Sequence, residues 1–139
     1  MTPIDILMVE DNPDDVELLL ASAHRSRLTN RIHVEPSGEG ALEYLHSPEG
    51  TSVELVLLDW NLPGIDGDEV LSRIKGDDEL RHLPVVVLTA SKEESNVLSA
   101  YRRQAAAYVT KPVGLDGFAE IVRAIEGFWL SIVRLPGPR

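Results

Sequence analysis

The chain has 139 residues, 43% of them hydrophobic, with 13 basic against 23 acidic side chains for a net charge of −10, and no cysteine. That length suits one domain able to bury roughly 70% of the surface its unfolded form exposes. The negative charge opposes binding to nucleic acid or anionic lipid, the missing cysteine excludes disulfides and thiolate metal sites, and no apolar stretch approaches the roughly 20 residues of a membrane span. The N-terminus lacks the basic-then-apolar pattern of a signal peptide, so a soluble cytoplasmic protein with one domain over residues 1–139 is expected.

Short β-rich runs alternate with longer segments of helical period, which predicts five βα units and a parallel sheet with helices on both faces. The first apolar run, Ile4–Val9, ends in Glu10-Asp11. A helix should follow Asn12-Pro13-Asp14-Asp15, since Asn caps, Pro suits the first helical position and two acids favour the positive end of the dipole. Val16, Leu19, Leu20 and Ala23 are its expected buried face. Ile32-His33-Val34-Glu35 reads as the second strand, and Ser37-Gly38-Glu39-Gly40 opens a short helix with Ala41, Leu42 and Leu45 inward, a region ended by Pro48 and Gly50.

The third run, Leu55-Val56-Leu57-Leu58, ends on Asp59 before the turn Asn61-Leu62-Pro63-Gly64. Asp66 should cap the next helix and Glu69 reach back to it, with Val70, Leu71 and Ile74 inward and an end near Gly76. A fourth run, Val85-Val86-Val87-Leu88, ends in Thr89-Ala90, and Ser91-Lys92-Glu93-Glu94 has capping-box spacing for a helix carrying Val97, Leu98 and Tyr101. The fifth run, Tyr108-Val109-Thr110, ends in Lys111-Pro112. The last helix, expected over about residues 115–134, has the strongest periodicity: Phe118, Ile121, Val122, Ile125, Phe128 or Trp129, Ile132 and Val133.

Four strands thus end on chemically capable side chains, and in open parallel α/β sheets ligands bind beyond the carboxyl ends of the strands. Each residue alone has an ordinary explanation: an acid after a strand forms turns, Thr89 ends a strand, Lys111 is a solvated charge. Their joint placement points to one site. Glu10, Asp11 and Asp59 together would repel one another unless a cation or protons compensate, and an all-oxygen ligand set suits Mg²⁺. Lys111 offers a positive charge to phosphate oxygens, the Thr89 hydroxyl a hydrogen bond, and an aspartate near Mg²⁺ is able to attack phosphorus to form an acyl phosphate. Asp14, Asp15, Asp77, Asp78 and Glu79 read as dipole partners, turn residues or solvated faces, and the four histidines lack metal-ligand spacing.

The segments Ile6-Leu7-Met8-Val9-Glu10-Asp11-Asn12, Leu57-Leu58-Asp59-Trp60-Asn61-Leu62-Pro63-Gly64, Val87-Leu88-Thr89-Ala90-Ser91 and Tyr108-Val109-Thr110-Lys111-Pro112 resemble, in order and over almost the whole chain, the receiver domain of bacterial two-component response regulators. The resemblance implies a flavodoxin-like doubly wound sheet of five βα units with strand order 2-1-3-4-5, and phosphoryl transfer from a histidine kinase to Asp59. It implies Mg²⁺ held by Glu10, Asp11, Asp59 and the Asn61 carbonyl, with Thr89, the Ala90 amide and Lys111 on the phosphoryl oxygens. Thr89 and Tyr108 are then the switch residues, acting on the surface of the fourth helix, fifth strand and fifth helix. The peptide before Pro112 resembles the family's cis bond. Chemistry would be limited to self-phosphorylation and autodephosphorylation, so the chain is not expected to be an enzyme.

Three positions depart from the common pattern: Trp60 beside the acceptor, Gln104 where glycine is frequent, and an apolar C-terminus. The domain leaves too little surface to cover that C-terminus, so Phe128, Trp129, Ile132, Val133 and Leu135 are the expected homodimer contacts. The tail and Asn12-Pro13-Asp14-Asp15-Val16 are similar to stand-alone regulators associated with phytochromes, which implies a bacteriophytochrome-type kinase as partner. A receiver belonging to a longer regulator with an output domain is the competing arrangement. A haloacid-dehalogenase-like Mg²⁺ phosphatase needs a second acid where Asn61 stands and a cap insertion, and a flavin binder would bring its phosphate against Glu10-Asp11-Asn12.

Overall fold

The computed structural model describes residues 4–25, 30–89, 105–111 and 114–128. Each apolar run within them forms a strand: β1 (Ile4–Val9), β2 (Asn30–Glu35), β3 (Leu55–Asp59), β4 (Val85–Thr89) and β5 (Ala107–Thr110). They make one parallel sheet in the order β2-β1-β3-β4-β5, the doubly wound arrangement that the resemblance implies. The helices between successive strands are α1 (Pro13–His24), α2 (Gly38–Leu45) and α3 (Gly67–Gly76), and the C-terminal helix spans Gly114–Phe128.

Side chains on a strand alternate between faces, so the continuous apolar runs feed two cores at once. Leu7, Val9, Val56, Leu58, Val85 and Val87 pack under Ala41, Leu42 and Leu45 of α2 and Val70, Leu71 and Ile74 of α3. Ile6, Met8, Leu55, Leu57, Val86 and Leu88 pack on the other face under Leu19 and Ala23 of α1 and Ile121, Val122 and Ile125 of the C-terminal helix. Edge strand β2 is only partly buried.

The helix starts follow local chemistry. Asn12 caps α1 by accepting from the Asp14 and Asp15 amides at 2.9 and 3.4 Å, with Pro13 in the first turn. Ser37 caps α2 through the Gly40 amide at 3.0 Å, and Asp66 caps α3 through the Glu69 amide at 3.0 Å.

Four details differ from expectation. Leu20 is 38% exposed and Ser22 is buried in its place, its hydroxyl satisfied by the Leu18 carbonyl at 3.0 Å. Three consecutive leucines span too much of the helix circumference for one sheet face to cover. Glu69 does not reach back to complete a capping box; its carboxylate takes Arg73 Nε at 2.7 Å one turn on. Strand β2 begins at Asn30 rather than Ile32, because Ile4 and Asp5 pair with Asn30 and Arg31, and Arg31 Nε binds Asp5 Oδ1 at 2.8 Å. The C-terminal helix begins at Gly114, one residue early.

The helix expected from Ser91, Gln104, and residues 129–134 of the last helix lie outside the described residues. No helix among the described residues is long and apolar enough to cross a membrane.

Candidate functional site

Parallel pairing brings all five strand carboxyl ends to one edge. The chain runs outward from β1 to β2 and then returns to β3 on the other side of β1, so the strand order reverses between β1 and β3. That switch point is where ligands enter such sheets, and it puts Glu10 and Asp11 beside Asp59. Backbone bonds fix the rim: the Glu10 amide donates to the Glu35 carbonyl at 3.1 Å, the Trp60 amide to the Leu88 carbonyl at 2.9 Å, and the Lys111 amide to the Thr89 carbonyl at 2.7 Å.

Asp59 and Glu10 are buried, 3% and 1% exposed, while Asp11 faces solvent. Asp59 Oδ1 accepts from the Asn61 amide at 3.1 Å, and Glu10 Oε2 from the Asn12 amide at 3.1 Å, so each carboxylate is oriented by the turn after its own strand. Gly64 completes the turn after Asp59 with φ of 73°, which only glycine adopts without strain. Thr89 is fully buried at the end of β4.

Lys111 is the counter-charge. Its Nζ lies 2.9 Å from Glu10 Oε1, 2.9 Å from Asp15 Oδ2 and 3.4 Å from Asp59 Oδ2. Burial works against its charge, but the hydrogen bonds to Asp15 and Glu10 and the nearby acids outweigh it and raise its pKa. Burial pushes Glu10 the other way, up to about 7; the Lys111 hydrogen bond opposes that rise and the Asp59 charge adds to it.

Carboxylate oxygens of Glu10, Asp11 and Asp59 lie within 4.8 Å of one another. Glu10 Oε1, though at ion-pair distance from Lys111, is buried without a hydrogen bond in good geometry. Three carboxylates with an open buried lone pair, one of them reaching solvent, fit a small hard divalent cation.

The structure therefore brings together Glu10, Asp11, Asp59, Asn61, Thr89 and Lys111. Tyr108 lies on β5 with its side chain outside the described part, and Ala90 and Pro112 with its expected cis bond lie outside the described residues. So do Trp129, Ile132, Val133 and Leu135 of the expected dimer contacts and the side chain of Phe128.

Asp15 is the residue that the sequence reading missed: it was assigned to the helix dipole, and it also pairs with Lys111. Its position in the capped first turn of α1 was legible. Its partner was not, because only the strand order brings β5's end within reach of α1. Trp60 is half-buried against the α2/α3 core.

A family model for the response regulator receiver domain matches residues 6–123. The probable methanogenesis regulatory protein FilR2 of Methanothrix harundinacea is 40% identical over 139 residues, covering 98% of this chain and 90% of its own. Response regulator Rcp1 of Synechocystis sp. is 38% identical over 141 residues, covering 96% and 94%, and the structure of its Mn²⁺-bound form superposes with a TM-score of 0.80. The phosphorylated cyanobacterial phytochrome response regulator RcpA superposes with a TM-score of 0.82 at 35% identity, covering 98% of this chain and 100% of its own. The phosphatase alternative finds no support in these matches. With a match over most of its length and relatives aligned nearly end to end, the chain belongs to the response regulator receiver domain family, whose members are generally phosphoacceptors rather than enzymes.

Proposed function

We propose that Asp59 accepts a phosphoryl group from the phosphohistidine of a histidine kinase. The observation that carries this reading is the position of Lys111 Nζ, 3.4 Å from Asp59 Oδ2 and beside the carboxylate trio. In the transfer an Asp59 oxygen attacks phosphorus, the P–N bond breaks with its electron pair left on the imidazole, and an acyl phosphate forms. Lys111, the Thr89 hydroxyl and the Ala90 amide hold the phosphoryl oxygens. Glu10, Asp11, Asp59 and the Asn61 carbonyl hold Mg²⁺, directly or through water. The cation, when bound, offsets the negative charge that gathers as phosphoryl oxygens approach three carboxylates.

Outside this transfer, the chain's own chemistry is limited to taking phosphate from small donors and losing it to water. The charge added at Asp59 draws Thr89 inward and lets Tyr108 follow, which changes the surface of the fourth helix, β5 and the last helix. The manganese-bound Rcp1 and phosphorylated RcpA structures support the cation and the acceptor role. The likeness to RcpA, a phytochrome response regulator, and to the bacteriophytochrome response regulator AtBRR, 41% identical, also favours a bacteriophytochrome-type kinase as donor. We place the protein in the cytoplasm, with residues 1–139 forming one receiver domain, paired as a homodimer through Phe128, Trp129, Ile132, Val133 and Leu135. Acetyl phosphate with Mg²⁺ is expected to add one phosphoryl mass to the wild type and none to Asp59→Asn; equal labelling of both would sink the reading. A phosphotransfer profile across histidine kinases tests the donor, with a bacteriophytochrome-type kinase expected to react fastest.

A further inference from the structure

We infer that Asp15 is a positioning residue for Lys111: it holds the ammonium from outside the carboxylate cluster that contains Asp59 and competes with the arriving phosphoryl group for it. This rests on the reading of Asp59 as the acceptor. An ammonium has three N–H groups, and here three carboxylates surround it. The two short contacts, both 2.9 Å, go to Glu10 and Asp15, while the contact to Asp59 is 3.4 Å. The side chains of Lys111 and Asp15 are 20% and 17% exposed, so their pair is screened less than a surface ion pair.

Both ends of the pair are anchored. Lys111 starts from a backbone amide bonded to the Thr89 carbonyl at 2.7 Å, at the end of the outermost strand. Asp15 starts from the first turn of α1, where its own amide is held by the Asn12 cap. Asp15 also stands outside the carboxylate cluster of Glu10, Asp11 and Asp59 that fits a divalent cation. Two consequences of opposite sign follow. A cation in the cluster takes the Glu10 and Asp59 carboxylates and repels the ammonium, and Asp15 is the acid left to hold it. Asp15 therefore makes room for the metal. A phosphoryl group on Asp59 replaces one carboxylate charge by up to two on the phosphoryl oxygens, a net gain of up to one, and draws the ammonium inward. Asp15 then loses its partner and faces a like charge, so it disfavours the phosphorylated state.

The test follows the fluorescence of Trp60, next to Asp59 in sequence, during titration with Mg²⁺ and then with beryllofluoride, a phosphoryl mimic, at saturating Mg²⁺. It also follows the lifetime of the acyl phosphate. Asp15→Asn is expected to weaken Mg²⁺ binding about two- to tenfold, and to tighten beryllofluoride binding and lengthen the acyl-phosphate lifetime by a similar factor. Asp15→Glu, which keeps the charge, should stay near wild type. Asp14→Asn, an equal charge change at an exposed position of the same turn, should move none of the three. Shifts of Mg²⁺ and beryllofluoride affinity in the same direction, no shift in either, or the same pattern from Asp14→Asn would overturn the inference while leaving Asp59 as acceptor. A wild type that takes no phosphoryl group at Asp59 overturns both.

Discussion

Gly67 lies directly against Trp60: its amide donates to the Trp60 carbonyl at 3.1 Å, and a Cβ built on it would stand 2.7 Å from the Trp60 Cα and 3.0 Å from the Asp59 carbonyl oxygen. The start of α3 closes onto the acceptor strand only because that position has no side chain. Gly67→Ala must move backbone rather than a flexible side-chain end, so a loss of about 1–3 kcal/mol in urea unfolding is expected. The same displacement should slow labelling of Asp59 by acetyl phosphate. An unchanged unfolding midpoint would mean that the α3 turn yields freely.

A cation at the carboxylate cluster should stabilise the fold by mass action. At a hundredfold excess over its dissociation constant, Mg²⁺ is expected to add about 2.7 kcal/mol, read as a rise in melting temperature that a chelator reverses. Asp11→Asn should lose most of that rise with little cost to the metal-free protein, since Asp11 is exposed. A rise that survives this substitution would place the metal elsewhere.

His46 ties the end of α2 to the end of α3. Its ring nitrogens face two acceptors, the Leu42 carbonyl at 2.9 Å and Asp77 Oδ2 at 2.6 Å, so the imidazolium satisfies both and the neutral ring only one. The Asp77 hydrogen bond, then the Leu42 carbonyl, hold the His46 pKa above its ordinary 6.5, and His46 holds Asp77 below its ordinary 3.8. Stability from the raised histidine is full below 6.5 and is lost as pH rises through the raised value. Stability from the lowered aspartate is present above 3.8 and lost as pH falls through the lowered value. The stability gap between wild type and His46→Ala should therefore be widest between about pH 4 and 6.5 and narrow as pH rises above that window. A gap that does not vary with pH would exclude the charged pair.

The buried face of α1 separates two neighbouring leucines. Leu19, 1% exposed, should cost about 2–5 kcal/mol as Leu19→Ala, because its cavity lies in the core shared with Met8 and Leu57. Leu20, 38% exposed, should cost no more than about 0.5 kcal/mol as Leu20→Ala. Equal costs in urea unfolding would contradict this orientation.

The proposed dimer is tested by light scattering at micromolar concentration. The wild type should have the mass of two chains, and Trp129→Ala or truncation after Gly127 should shift it toward one. A wild type that stays monomeric removes the dimer.

The strands and the helix starts were legible because their causes lie within a few residues. Asn12, Ser37 and Asp66 each bond an amide two or three positions on, and continuous apolar runs can be buried only in a sheet covered on both faces. Glu69 failed as a capping partner because Arg73, one turn away, offered a charged donor at 2.7 Å. Both outcomes used neighbours within reach along the helix, and sequence pattern alone does not rank them.

The amino-acid order determined which side chain each strand delivers: Glu10 and Asp11 after β1, Asp59 on β3, Thr89 on β4, Lys111 after β5. A strand end is set by local pattern, and a residue's place relative to it needs no partner. Tertiary structure decided what those side chains meet. Returning the chain from β2 across β1 to β3 set Glu10 against Asp59, and the packing of α1 on the sheet turned Leu20 outward and Asp15 toward Lys111. Such contacts join residues far apart in the chain, and they arise from the rotation of a whole helix on its sheet, which many small burial terms fix together.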